Sequence, residues 1–354
     1  MVVLPTGFAV RLPAIVKWMG KFWKVRESDD EVDVFVNGFD VIGDVHGCAD
    51  ALEALLEKMG YRRQHGIWSH PDRTAVFVGD LIDRGSQQRE VVEIVRSMVD
   101  AGSARIVLGN HEFNAVAWHT PDLANPGSYH RTRRGPTGDK NREQHEAFLT
   151  QIGEDSPLHN ELIQWFTTIP LWIDLGGLRV VHACWSTQDM DAIVHMLDPD
   201  NSLTMECLVA ACQSGTIAYE AIETILKGPE LHMGGRAYRD KSGHVRKKAR
   251  LRWWDPTATT LHELAEIPPG SLAPNGEPFG ALPHEPVDPD HVPRYTDEIP
   301  VIFGHYWRTG EPHILNPTAA CVDFSAVVGG PMVAYRWSGE TELDPNHLVF
   351  AHAK

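Results

Sequence analysis

Cysteine is scarce in this chain. There are five in 354 residues (Cys48, Cys184, Cys207, Cys212 and Cys321), an odd number with no Cys-x-x-Cys pair. That indicates neither a disulfide framework nor a thiolate zinc site, and it fits a reducing, cytoplasmic setting. Long apolar runs are missing as well: none approaches about 18 residues, which excludes a membrane-spanning helix. Basic charge is in deficit, with 32 Lys and Arg against 48 Asp and Glu and a formal net charge of −16. A broad basic face for duplex nucleic acid is therefore not expected. Low-complexity tracts and internal repeats are absent too, and hydrophobic and charged contents of 42% and 23% are those of a folded globular chain.

What is present begins with an odd N-terminal stretch. Ile15, Val16, Trp18, Met19, Phe22 and Trp23 alternate with Lys17, Lys21 and Lys24, a basic amphipathic pattern over residues 14–24 that could lie on an anionic membrane surface. Pro13 and the internal charges make it a poor signal peptide. The simpler expectation is packing on the body or a frayed extension. Residues 1–38 are accordingly set apart as an N-terminal extension. Residues 39–354 are expected to form one domain, with insertions at about 120–144 and 267–300. The second insertion carries nine prolines.

Within that domain, buried strands end repeatedly in polar, glycine-flanked loops. The alternation of Val32–Val36, the Asn37-Gly38 pair and the run Phe39–Ile42 suggest a hairpin. The second run ends in Gly43-Asp44-Val45-His46-Gly47, and Ala51, Leu52, Leu55, Leu56 and Met59 then recur at helical spacing. Thr74–Val78 leads into Gly79-Asp80-Leu81-Ile82-Asp83-Arg84-Gly85, and Arg105–Leu108 into Gly109-Asn110-His111-Glu112. Two later runs end in His182 and His305. Strand ends of this kind converge on one edge of a sheet.

Together they offer Asp44, His46, Asp80, Asn110, His182 and His305. Carboxylate, imidazole and one amide oxygen suit transition metals: manganese first, with iron or zinc as alternatives. The set is too rich in nitrogen for a dedicated calcium site. Six ligands exceed what one ion needs beside water and substrate, so two divalent or mixed-valence ions sharing a carboxylate are expected. Such a pair, about 3.5–4 Å apart, can hold a bridging hydroxide and neutralise phosphate oxygens during in-line attack. His111, oriented by Asp83, can protonate the leaving oxygen, and Arg84 can grip the phosphate.

These blocks resemble the calcineurin-like metallophosphoesterases, and within them the phosphoprotein phosphatase branch. The resemblance implies a four-layer α-β-β-α sandwich of two mixed sheets in the α/β class. It implies Asp44, His46 and Asp80 on one metal, and Asp80, Asn110, His182 and His305 on the other. A second phosphate-gripping arginine is expected between the late histidine blocks; Arg250 and Arg252 are the candidates, with Arg236 behind them. Asp83 and Glu112 look like the Ser/Thr protein phosphatases, whereas Gly304-His305-Tyr306-Trp307 and Val322-Asp323-Phe324-Ser325 resemble the symmetrical diadenosine tetraphosphatases. The chain departs from both at Cys184-Trp185 and at Phe324-Ser325. The leading expectation is hydrolysis of phosphomonoesters, phosphoproteins included. The alternatives are a bis(5'-nucleosyl)-tetraphosphatase or RNA 5'-end pyrophosphohydrolase, and a non-catalytic phosphate-binding module.

Overall fold

The computed structural model describes residues 38–239, 243–288 and 292–352, together with the backbone of two short paired segments, 23–24 and 35–36. Apart from the backbone of 23–24, the amphipathic stretch expected at 14–24 lies outside the described residues.

Strand β1 (Gly38–Ile42), helix α1 (Ala49–Met59), β2 (Arg73–Phe77), α2 (Gln88–Asp100), β3 (Ala104–Ile106) and α3 (Asn110–His119) form two successive parallel crossovers. Helix α1 buries Ala51, Leu52, Leu55, Leu56 and Met59, the predicted stripe, and stops at Gly60, whose φ of 95° is open to glycine. Helices α4 (Gly135–Phe148) and α5 (Pro157–Thr167) follow, then β4 (Trp172–Asp174), β5 (Arg179–Val181), α6 (Thr187–Ile193), α7 (Met205–Ala211) and α8 (Ile217–Lys227). After β6 (Glu230–His232), β7 (Lys248–Leu251) and β8 (Ala265–Glu266), the chain returns through β9 (Val301–Phe303), β10 (Ala319–Cys321), β11 (Met332–Trp337) and β12 (Leu348–Ala351).

Two mixed sheets result. One has the order β12-β11-β1-β2-β3, in which β1, β2 and β3 are parallel and β11 is antiparallel to both its neighbours. The other has the order β4-β5-β9-β10, with only the β4–β5 pair antiparallel. Period-two alternation sorts their side chains. Phe39, Val41, Val76, Val78 and Val107 of the first sheet meet Leu178, Val180, Ile302 and Ala320 of the second in one core. Ile42, Ala75, Phe77 and Ile106 instead face the apolar stripes of α1 and α2. On the far side, Phe303 packs on Trp253, and the Ala183 N–H donates to Ile225 O of α8. These are the four layers, helix, sheet, sheet and helix, expected from the resemblance.

Among the described residues the expected hairpin does not form. Residues 35–36 pair with 23–24, and both edges of β1 are taken by β2 and β11. Gly38 serves close approach rather than a turn: a Cβ there would sit 2.2 Å from Trp337 O and 2.6 Å from an Arg73 guanidinium nitrogen. Between β6 and β9, the strands β6, β7 and β8 form a small sheet with satellite cores around Met233, Tyr238 and Ala249 and around Leu251, Leu264 and Val292. The proline-rich excursion packs through Leu282, Val292 and Tyr295. No described helix is long and apolar enough to cross a membrane.

Candidate metal centre

The loops after β1 and β2 and the start of α3 lie at one edge of the first sheet; those after β5 and β9 lie beside them at the edge of the second. Backbone geometry there is unusual. His46, Asp80, Asp83, Arg84, His305 and Trp307 all have positive φ, between 44° and 69°. For residues other than glycine each such conformation costs about 1–3 kcal/mol, a strain typical of functional sites. Gly304 allows the loops to close: a Cβ there would stand 2.0 Å from Asp44 Oδ1.

Each expected ligand side chain is buried. His46 Nδ1–H donates to Ile82 O at 2.8 Å, which turns Nε2 inward, 3.5 Å from Asp80 Oδ2 and 4.0 Å from Asp44 Oδ2. His182 is set the same way. Its Nδ1–H donates to Val78 O at 2.7 Å, and its Nε2 lies 3.1 Å from Asn110 Oδ1, 3.2 Å from His305 Nδ1 and 3.5 Å from Asp80 Oδ2. Two metal-competent gatherings lie here, His46, Asp80 and His111, and Asp80, His182 and His305, so Asp80 is common to both. Asp44 accepts the His305 N–H at 3.2 Å and thereby joins the two sheets.

The electrostatics are those of crowded titratable groups. Burial, reinforced by the Asp323 and Asp80 carboxylates, pushes Asp44 well above the usual carboxylate range. Burial pushes His46 down to about 3, leaving its Nε2 a lone pair. Among the described residues, His46 Nε2 and His305 Nε2 are buried without any hydrogen-bond partner. Oxygen and imidazole donors aimed at a common space, two of them unpartnered, fit a pair of divalent transition-metal ions.

His111 lies between this set and Asp83. Its Nδ1 is 2.5 Å from Asp83 Oδ2 and its Nε2 is 4.0 Å from Asp80 Oδ2. Burial disfavours its charge, yet Asp80 and the Asp83 hydrogen bond hold its pKa above the ordinary imidazole value. The Arg84 guanidinium lies 4.2 Å over the Trp307 ring, and its charge reaches both His46 and His111. Arg250 donates to His305 O at 3.2 Å. Arg252, past the end of β7, donates its Nε–H to Glu266 at 2.6 Å, and Glu266 also holds Arg308. Arg236 is turned to Ala281 O.

Two residues of the site were not assigned roles from sequence. Glu112 accepts the backbone N–H groups of Asp80, Leu81 and Gly109 at 2.8–3.1 Å, tying the β2 loop to the start of α3; the Asn-His-Glu triplet was its only signal. His145, from α4, bonds Asp83 Oδ1 at 2.6 Å, and no local pattern marks it. A further gathering is formed by His119, Asp155 and His159. There His159 Nδ1 accepts the Asp155 N–H, so the neutral ring carries its proton on Nε2 and offers no lone pair to an ion.

Residues 39–209 match the family model described as calcineurin-like phosphoesterase. Among curated proteins, the chain is 51% identical over 74 residues to the asymmetrical bis(5'-nucleosyl)-tetraphosphatase PrpE of Halalkalibacterium halodurans. That match covers 21% of this chain and 30% of that relative, so the chain spans under a third of the length of the asymmetrical relative. It is 27% identical over 299 residues to the symmetrical bis(5'-nucleosyl)-tetraphosphatase of Aromatoleum aromaticum, covering 79% of this chain and 88% of the relative. Among solved structures, a protein serine/threonine phosphatase from Saccharomyces cerevisiae aligns with a TM-score of 0.49 at 14% identity, over 89% of this chain and 80% of that one.

Proposed function

We propose, from the premise that the chain belongs to the calcineurin-like phosphoesterases, that it hydrolyses phosphoric esters at the edge shared by its two sheets. The observation that carries this reading is the pair of ligand gatherings sharing Asp80, with His46 Nε2 and His305 Nε2 buried and unpartnered. Asp44, His46 and Asp80 would hold one divalent ion, and Asp80, Asn110, His182 and His305 the other. Bound there, the ions would supply charge neutralisation at phosphoryl oxygens and activation of water, manganese being the first candidate and iron or zinc the others. The chain's own residues do the rest. Arg84, braced over the Trp307 ring, and Arg250, beside His305, orient the phosphate. His111, its Nδ1 fixed by Asp83, delivers a proton from Nε2 to the leaving oxygen.

For substrate, the Asp83–His111 pair and Glu112 support phosphomonoesters, phosphoserine and phosphothreonine included. Nucleoside polyphosphates are the second reading, favoured by the similarity that runs through 79% of the chain to a relative named for that activity. Parallel assays of a phosphopeptide and diadenosine tetraphosphate decide between them. A preference for the dinucleotide above about tenfold in kcat/KM moves the assignment to the second reading. Hydrolysis of neither with manganese, iron, cobalt, nickel or zinc overturns both.

A further inference from the structure

Helix α4 begins in the stretch that composition marks as an insertion and runs past its end, and its last turn sends a ring into the centre of the site. His145 is 3% exposed. Its Nδ1 is 2.6 Å from Asp83 Oδ1, while the other oxygen of the same carboxylate, Oδ2, holds His111 Nδ1 at 2.5 Å. We propose that His145 is a positioning residue for His111, acting through Asp83 to couple the α4 insertion to proton transfer at His111 Nε2. This rests on the phosphoesterase reading given above.

An aspartate side chain that offers one oxygen to one partner can rotate and exchange oxygens. Bonds of similar length to both oxygens, from rings on opposite sides, fix the plane of the carboxylate. The Asp83 backbone is fixed separately: its N–H donates to Gln88 Oε1, and Gln88 Nε2–H donates back to Asp83 O. His145 is therefore the contact left to set the side-chain torsion that aims His111. Burial alone would raise the Asp83 carboxyl, but the two rings outweigh it and hold it well below the usual range, so the acceptor stays ionised.

Packing does not explain the ring. It stacks on Phe148 at 5.0 Å and meets Trp118 edge-on at 6.3 Å, contacts an apolar ring would make as well. Its Nε2 is buried without a partner, a cost an apolar ring would not carry. The insertion is meanwhile pinned to the helix that presents His111. The Arg131 N–H donates to Ala117 O, Arg133 Nε–H donates to Trp118 O, and the Arg133 guanidinium covers the Trp118 ring at 4.7 Å. Helix α3 and the Asp83 loop thus share one brace.

The test uses the full metal-loaded chain with His145→Leu, which keeps apolar packing, and His145→Asn, whose amide nitrogen falls where Nδ1 stood. A phosphoserine peptide, whose leaving group needs a proton, is compared with p-nitrophenyl phosphate, whose leaving group needs little help. His145→Leu is expected to lower kcat on the peptide by about tenfold to a hundredfold, to lower it far less on p-nitrophenyl phosphate, and to leave KM and metal content unchanged. His145→Asn is expected to restore most of the loss, and adding His111→Asn to the Leu variant to cost no more than His111→Asn alone. Equal losses on both substrates, or no recovery with Asn, assign His145 a structural role and overturn the proposal. If the Leu variant does not fold, His145→Phe replaces it. Proton NMR of the imidazole Nδ1–H signals reads the same coupling without turnover: loss of His145 must shift the His111 signal, and an unmoved signal overturns the proposal. An inactive wild-type chain with a shifted signal counts against the phosphoesterase reading alone.

Discussion

At the scale of the residue, His111 has Nδ1 committed to Asp83 and Nε2 directed to the metal side, 4.0 Å from Asp80. The same ring is close enough to the ligands to be taken for one, and it falls within one of the metal-competent gatherings. A substitution separates the two roles. His111→Asn is expected to lower kcat by about a hundredfold or more while two metals per chain remain bound, read by steady-state kinetics and elemental analysis. Loss of a metal instead would make His111 a ligand. The residues that were legible in the sequence share a local cause. Asp44, His46, Asp80, Asn110 and His305 sit at strand ends beside glycines that let loops meet at van der Waals limits, and that punctuation is written in the chain. His145 has no such marker. It stands 62 residues from Asp83 in a polar helix and is one of 19 histidines, so only tertiary contact distinguishes it. Arg252 shows the converse: a basic stretch displays its charges in the sequence, but not that Glu266 lies opposite one of them.

Elements obey a similar division. Helix α1 and the strands leading to each polar loop were legible from periodicity, whereas the pairing of β1 was not. Asn37-Gly38 carries a hairpin signal, but β1 has two partners that arrive from residues 73–77 and 332–337, and sequence spacing is silent about them. Asp40 shows what holds these three strands together. Fully buried on β1, it accepts Arg73 Nε–H from β2 at 2.8 Å and Arg336 Nε–H from β11 at 3.0 Å. Arg73 also donates to Phe39 O and Trp337 O, so one guanidinium touches all three strands. Removing the carboxylate leaves two arginines facing each other without a counter-charge. Breaking a buried pair in this way costs about 3–5 kcal/mol, and the part exposure of Arg336 places this case near 3 kcal/mol. Asp40→Ala is therefore expected to lower the melting temperature by about 6 °C, taking about 2 °C per kcal/mol for a chain of this size. The central strand ends two residues before Asp44, so a first effect on metal affinity rather than on melting would mean that Asp40 serves the site more than the sheet.

On the scale of the whole molecule, the proposed ligand set spans the two sheets. Asp44, His46, Asp80 and Asn110 follow strands of the first, and His182 and His305 follow strands of the second. Among the described residues they are joined by few direct bonds: the His305 N–H to Asp44, His182 to Val78 O, and the contacts of His182 with Asn110. Asp44 and Asp323 are both pushed up by burial and by neighbouring carboxylates, so the edge carries repulsion that bound cations would relieve. Ligands that bind only the folded state add RT ln(1 + [L]/Kd), about 2.7 kcal/mol at a hundred times Kd. Chelation of the metals is accordingly expected to lower the melting temperature by about 5 °C or more. The loss should be unequal across the fold. Hydrogen exchange should quicken in the loops that carry the ligands and between the short strands β5 and β9, which share only two residue pairs with each other. The β1–β2 pair, with five paired residues and the Asp40 clamp, should remain protected. Asp80→Asn, which removes the shared carboxylate's charge, should show the low melting temperature with or without added manganese. If chelation leaves melting and exchange unchanged while Asp80→Asn still destabilises, the cluster holds the sheets together through its hydrogen bonds, and the cations contribute to chemistry alone.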